Sequence, residues 1–344
     1  MGSPLLRLTN AGLYCERGGF FIDPWSPAAK AIITHAHGDH AVKGSRQYLT
    51  AEPGRLILQH RMGAGAKIDG LAFGETVDLN GVKVSLHPAG HILGSSQVRV
   101  EHHDEVWVVS GDYKVAPDAT CAAFEPVRCH TFITESTFAH PHYHWEPQAD
   151  TFAQIHDWWR ENQQHDKACF LYAYSLGKAQ RLMAGLDHSL GPVFSHPWVE
   201  EMNALYRQSG VPLAETRTPQ SGVTCEEWSR ALILLPPAKR WDVGFAIMGN
   251  YSTAFASGWM TLPDGPTQRR VHRGFALSDH ADHDELLAAV AATGAQRILV
   301  THGYIDEFVT ELKSLGYDAL AHRTPRCGTP PRVPETVQMK LAFE

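Results

Sequence analysis

Six consecutive residues near the start, His35-Ala36-His37-Gly38-Asp39-His40, constrain this chain more than any other feature. His35, His37, Asp39 and His40 are metal-ligand types, and they follow the apolar run Ala31-Ile32-Ile33-Thr34. That run reads as a buried strand, so the ligands must fan out from a tight turn at its end. Such a turn can aim His35 and His37 at one cation, and Asp39 and His40 at a neighbour about 3.5–4 Å away. Imidazoles with a carboxylate suit zinc, and manganese and iron are compatible with the same donors.

The rest of the chain supplies candidates that complete both shells. His91 lies in Pro88-Ala89-Gly90-His91-Ile92-Leu93-Gly94-Ser95, Asp112 in Val109-Ser110-Gly111-Asp112-Tyr113, and His302 ends an apolar run in Thr301-His302-Gly303. His35, His37 and His91 make a three-histidine site. Asp112 has two carboxylate oxygens and is suited to bridge. Asp39, His40 and His302 then finish a second site. Strand patterns at 20–24, 82–87, 97–100, 106–110 and 131–134 place the acidic and histidine candidates just after strands, where a rigid frame holds polar groups.

The middle changes character. A helix is predicted over 150–161, capped by Asp150 or Thr151, then a buried strand over 168–173. Ser175-Leu176-Gly177-Lys178 opens the next helix, and a strand over 231–235 is closed by Pro236-Pro237. This alternation predicts a separate α/β unit with a parallel sheet. A polar segment with Gly and Pro, 257–270, crosses back; a helix over 284–293, a strand over 297–301 and a helix over 306–315 follow, without internal repeats. At 344 residues the chain exceeds the usual single core. No apolar run approaches the roughly eighteen residues of a membrane helix, and the first residues carry no export signal. The 6 cysteines are scattered, with no C-x-x-C pair, which fits reduced thiols and a cytoplasmic setting. The net charge of −7 is unlike that of a basic nucleic-acid binder, although cations at a metal centre would offset local carboxylates.

The set His35-x-His37-x-Asp39-His40, His91 and Asp112 resembles the metallo-β-lactamase fold. Glu135 in Thr134-Glu135-Ser136, His280 in Leu277-Ser278-Asp279-His280-Ala281-Asp282 and His302 in Thr301-His302-Gly303 resemble the three added motifs of the β-CASP nucleases. That group includes the pre-mRNA 3′-end endonuclease, RNase J and the DNA-crosslink-repair nucleases. The stretches around His91 and Ser175 match the group too. More narrowly, Ala11-Gly12-Leu13-Tyr14-Cys15, Phe21-Ile22-Asp23-Pro24-Trp25 and Ala276-Leu277-Ser278-Asp279-His280-Ala281-Asp282 are similar to the bacterial ligase-associated DNA exonucleases. The likeness runs over nearly the whole chain.

The resemblance implies an α/β protein: an αββα metallo-β-lactamase sandwich with an inserted α/β β-CASP domain. The first part of the sandwich would cover residues 1–140, the β-CASP cap 141–270, the resumed sandwich 271–325 and a Pro-rich tail 326–344. It also implies a phosphodiester hydrolase, an exodeoxyribonuclease with two divalent metals, zinc before manganese. It would act on single-stranded or duplex DNA ends in repair or end processing, in functional association with an ATP-dependent DNA ligase. Asp39 and Asp112 serve the metals, and His280, outside the ligand set, is the candidate proton donor to the leaving 3′-oxygen. Glu135 would orient His280. Asp23 would fix a ligand imidazole through its second nitrogen, and reads equally as a turn carboxylate.

Ser175 and Lys178 at a helix start would hold a terminal 5′-phosphate, implying 5′→3′ polarity; the alternative is a capped helix with a solvated lysine. Lys114, Arg181, Arg269, Arg270 and Arg273 read as strand-backbone contacts or as solvated charge, and Trp158 and Trp159 as core. His302 matches the RNA-processing members, where the eukaryotic DNA-repair members usually carry an apolar residue, so an RNA-processing ribonuclease is the alternative function. A small-molecule hydrolase such as a lactamase needs neither the insertion nor His280. A catalytically dead scaffold would have lost ligands, and none is missing.

Overall fold

Short strands of alternating apolar residues build the first part of the chain. The computed structural model describes residues 4–219, 223–239, 249–324 and 330–331. β1 (Arg7–Thr9), β2 (Gly12–Cys15), β3 (Phe20–Ile22), β4 (Ala31–Ile32), β5 (Tyr48–Ala51) and β6 (Ile68–Leu71) lie side by side in chain order, and α1 (Arg55–Met62) connects the last two. A second sheet begins with the antiparallel strands β7 (Thr76–Leu79), β8 (Val82–Pro88), β9 (Ser96–His102) and β10 (Glu105–Val109), and β11 (Thr131–Ser136) pairs with β10 in parallel. Leu13, Phe20, Ile22 and Ile32 of the first sheet and Val84, Leu86, Val98, Val100 and Trp107 of the second join one buried apolar cluster. Burying one face of each sheet against the other is the main favourable term here.

The strand predicted over 31–34 stops at Ile32. Ile33 still donates to the Leu49 carbonyl at 2.8 Å, but the Thr34 amide turns to the Asp23 carboxylate, also at 2.8 Å. The chain thus leaves the sheet one residue before the histidines.

The middle of the chain forms its own sheet. After α2 (Gln148–Gln163) come β12 (Lys167–Tyr172), α3 (Lys178–Gly185), β13 (Val193–Ser195), α4 (Pro197–Gln208), α5 (Cys225–Ser229), β14 (Leu232–Leu235), β15 (Asn250–Ala256), α6 (Gly265–Gln268) and β16 (Arg273–Phe275). The order is β13-β14-β12-β15-β16, and every pairing is parallel. β12 and β14 are continuous apolar runs, as central strands of a parallel sheet must be. Asp150 is not a cap: α2 starts earlier, after Pro147, and Asp150 sits in its first turn, where a carboxylate suits the helix dipole. Trp158 and Trp159 are buried, their indole N–H groups held by Ser252 Oγ and the Arg230 carbonyl.

The chain then returns to the second sheet. α7 (His283–Thr293) leads to β17 (Arg297–Gly303), which pairs in parallel with β11, and α8 (Ile305–Ser314) leads to β18 (Asp318–Ala321) at the edge. The residues divide into two compact units, Met1–His144 with His280–Glu344, and Trp145–Asp279. The inserted unit extends past residue 270 because β16 pairs with β15 and belongs to the parallel sheet. Of the tail expected over 326–344, all but Pro330 and Pro331 lie outside the described residues. Among those described, no helix is long and apolar enough to cross a membrane.

Candidate metal centre

Asp23 organises the histidine loop. It follows β3 with a positive φ of 43°, a conformation that costs a non-glycine residue energy and clusters at functional sites. Its Oδ1 accepts the Thr34 amide at 2.8 Å, and its Oδ2 accepts the Thr34 hydroxyl at 2.6 Å. The same Oδ2 lies 2.7 Å from His40 Nδ1. A turn in which the His40 and Ala41 amides both meet the His37 carbonyl brings His40 back to this carboxylate. With Nδ1 engaged there, His40 Nε2 is the atom left for a cation, the usual arrangement of a ligating imidazole.

His91 is brought in by a second turn. Its amide and that of Ile92 donate to Ser95 Oγ at 3.0 and 3.2 Å, and the Ser96 amide donates to the Thr34 carbonyl at 2.9 Å, pinning this turn to the first. Gly90 is obligatory: its φ is +74°, and a Cβ there would strike the Lys114 carbonyl.

The rings of His35, His37 and His91 stand 4.8–4.9 Å apart, each pair at 81–82°. Three mutually perpendicular imidazoles at equal spacing surround a common point. His35, His37, His91 and Asp112 each offer a donor atom within 4.8 Å of the others. His91 Nε2 is 3.1 Å from His37 Nδ1, and His35 Nε2 is 3.6 Å from Asp112 Oδ2. These edges are close to the roughly 3.3 Å expected between donors about 2.0 Å from a tetrahedral zinc.

Asp112 divides its oxygens. Oδ2 faces His35, whereas Oδ1 lies 3.5 Å from His40 Nε2. Both gaps are too long for hydrogen bonds, and His35 Nε2 and His40 Nε2 are buried with no hydrogen-bond partner. Orphaned buried nitrogens facing a buried carboxylate are costly unless a cation joins them, so the donors fit a divalent metal. The second set is looser. Asp39, with a half-exposed side chain, has Oδ2 3.8 Å from His40 Nε2, and the His302 ring stacks on the His40 ring at 5.5 Å between centroids.

The electrostatics follow from this crowding. Burial holds the His35 pKa well below its usual value, with the nearby His40 adding to the effect, so His35 is neutral as a ligand must be. Burial opposes charge on His40 too, but Asp112, Asp23 and Asp39 outweigh it and push its pKa up to about 10. Burial would raise the pKa of Asp112, yet His40 and His35 hold it well below the carboxylate range. A pocket that attracts positive charge this strongly suits a cation.

His280 stands beside this set. Its Nδ1 is 2.8 Å from Glu135 Oε2 and 3.0 Å from Oε1, and Glu135 is buried. Glu135 Oε1 also accepts the Tyr113 amide at 2.6 Å, and the Tyr113 carbonyl accepts the Ala281 amide at 2.7 Å. One residue, next in sequence to Asp112, therefore ties Glu135 to the chain beside His280. Asp112, Glu135 and His280 also form a group whose donors lie within 4.8 Å of one another. The second aspartate of the motif, Asp282, acts elsewhere, forming with Glu285 the capping box that starts α7.

Sequence reasoning missed three contributors. Thr34 and Tyr113 act through backbone or hydroxyl contacts that no motif marks. Arg61, on α1, lies against the histidine loop, with its Nε buried and unpartnered; burial lowers its pKa, and Asp39 opposes that.

The predicted phosphate contacts read differently in the structure. Lys178 is buried, donating to the Leu277 carbonyl at 2.7 Å and pairing with Asp279 Oδ2 at 3.0 Å. Arg181, also buried, pairs with Asp279 Oδ1 at 3.2 Å. Gln180 closes the helix start, accepting the Gly177 amide at 2.8 Å and donating to the Ser175 carbonyl at 3.0 Å. Lys178 is thus not solvated: an ammonium taken out of water needs its own carboxylate, and Asp279 supplies it. Ser175 is half-buried beside this network. Lys114 is likewise buried, paired with Asp118 at 2.8 Å, while Arg269 and Arg273 lie over the rings of Phe255 and Phe275. Arg270 is exposed.

No family model matches the chain. It is 31% identical over 312 residues to a probable DNA ligase of Opitutus terrae, covering 90% of this chain and 30% of that protein. It is 28% identical over 123 residues to the endoribonuclease YSH1 of Saccharomyces cerevisiae, covering 35% of this chain and 16% of the relative. It is 30% identical over 124 residues to cleavage and polyadenylation specificity factor 73 of Drosophila melanogaster, covering 35% and 18%. The chain thus spans 30% or less of these relatives' lengths. A crystal structure of a protein of unknown function from Enterococcus faecalis V583 shares the fold, with a TM-score of 0.54 at 14% identity over 88% of this chain and 79% of the other. The match over most of this chain to the probable DNA ligase, the partial matches to the endoribonucleases and the motifs gathered around Asp112 are together consistent with the β-CASP group of metallo-β-lactamase-fold nucleases.

Proposed function

We propose that this chain is a metal-dependent DNA exonuclease that hydrolyses phosphodiester bonds in DNA repair or end processing. The observation that carries the reading is Asp112, whose two oxygens face His35 on one side and His40 on the other. In this reading His35, His37, His91 and Asp112 hold one zinc ion, and Asp112, Asp39, His40 and His302 hold a second, with manganese able to replace either. Cations held there supply Lewis acidity, making water nucleophilic at neutral pH and offsetting charge that builds on a phosphate. Asp23 keeps His40 in the ligating tautomer. His280, held by Glu135, gives a proton to the departing 3′-oxygen.

The architecture proposed with it is an αββα sandwich carrying a β-CASP cap. DNA is favoured because the relative matching nine-tenths of the chain is named a probable DNA ligase; association with an ATP-dependent ligase follows from the same likeness. The family resemblance supports 5′→3′ polarity, and Ser175 remains the candidate for a terminal phosphate. The second reading, an RNA-processing nuclease, is favoured by the endoribonuclease relatives. Matched DNA and RNA strands, labelled at either end and with or without a 5′-phosphate, should be digested by the zinc- or manganese-loaded protein. Stepwise shortening of DNA from the 5′ end is expected. Preferential RNA cleavage would move the chain to the second reading.

A further inference from the structure

We infer that a pocket beside the metal centre receives the nucleobase of the nucleotide being removed, an inference that rests on the nuclease reading above. Within the unit that carries the ligands lies a pocket open to solvent. Asp39, His40 and His302 line it, so it is continuous with the second ligand set. Its remaining walls include Leu8, Leu13, Trp25 and Ile133. These apolar surfaces do nothing for a cation or a phosphate. They suit a flat, weakly polar group attached to a phosphate, and a nucleobase is such a group.

The polar atoms of the wall indicate how the base is read. Both oxygens of Asp23 are taken by Thr34 and His40, and Ser110 Oγ donates to the Gly111 carbonyl. The hydrogen bonds of these two side chains are already spent inside the protein, and Thr301, His322 and Thr324 complete the polar part of the wall. Recognition by area and ring stacking is tolerant of sequence, because every base has a π-face. The pocket is therefore a base-requiring site without base preference, as suits an enzyme that removes nucleotides one after another.

The test is equilibrium binding to the zinc-loaded full chain, with deoxyadenosine and deoxycytidine 5′-monophosphates compared with deoxyribose 5-phosphate. Both nucleotides should bind at least about tenfold more tightly than the sugar phosphate, and similarly to each other. Leu8 is 40% exposed, so Leu8→Trp can fill the pocket without disturbing the core and should erase the preference; Trp25→Ala should weaken it from the opposite direction. Equal affinity of the parent for nucleotide and sugar phosphate, or a preference untouched by both substitutions, would overturn the inference. A chain that degrades DNA but shows no preference rejects the pocket alone. One that binds nucleotides but cleaves neither DNA nor RNA rejects the nuclease reading.

Discussion

At the level of single residues, Asp23 and His280 show how neighbours decide a role. Asp23 holds Thr34 and His40 together, so removing it frees the loop and releases the His40 tautomer. Asp23→Ala should lower metal affinity by about 10–100-fold, the usual effect of losing a partner behind a ligand; titration against a zinc-sensitive dye checks this, and an unchanged affinity would leave Asp23 a turn residue. His280 is held by Glu135 and stands outside the His35-His37-His91-Asp112 group. His280→Ala should keep the metal content and lose about 10²–10⁴-fold in turnover. A substrate with a much better leaving group should recover most of that loss, since it needs little protonation. Metal lost with the mutation would make His280 a ligand of the group it forms with Asp112 and Glu135.

Elements explain what a motif cannot. His302 sits at a register irregularity between β11 and β17, where Glu135 pairs with Thr301 and Ser136 with Gly303. Its φ of 53° and the φ of 81° at Gly303 swing the imidazole away from the ordinary strand direction. A Cβ at Gly303 would collide with the Ser136 carbonyl, so only glycine fits. At α3, the buried group of Lys178, Arg181 and Asp279 couples the helix start to the end of the inserted unit. Asp279→Ala leaves two buried cations without their carboxylate and should cost about 3–5 kcal/mol. Lys178→Met leaves Asp279 paired with Arg181 and should cost less. Urea unfolding measures both. Lys178→Met should slow cleavage of 5′-phosphorylated and 5′-hydroxyl ends alike; a loss confined to phosphorylated ends would restore the phosphate role.

In the whole molecule, each unit has its own apolar cluster, one between the first two sheets and one around the parallel sheet. The proposed ligands come from chain positions as far apart as His35 and Asp112, and from His302 after the insertion. A cation that joins them binds the folded state alone and stabilises it by mass action. Chelation should therefore lower the melting temperature by several degrees for a ligand held at about a thousandfold above its dissociation constant. Calorimetry of the full chain with and without chelator tests this, and an unshifted midpoint would show that the donors hold no tight metal.

The residue types of the centre were legible in the sequence because ligand chemistry depends on side-chain identity and close spacing: His35, His37, Asp39 and His40 must sit in one turn, whatever surrounds it. The buried runs at β12 and β14, and Trp158 and Trp159, were legible because apolar continuity is a local property. Tertiary structure alone decided the rest. Asp23 could not be told from an ordinary turn carboxylate until the fold set His40 against it. Lys178 read as a phosphate contact or a solvated lysine until Asp279, a hundred or so positions later, met it in a buried environment. Local sequence specifies which groups a segment carries; which partner each one meets depends on distant segments that only the packed chain brings together.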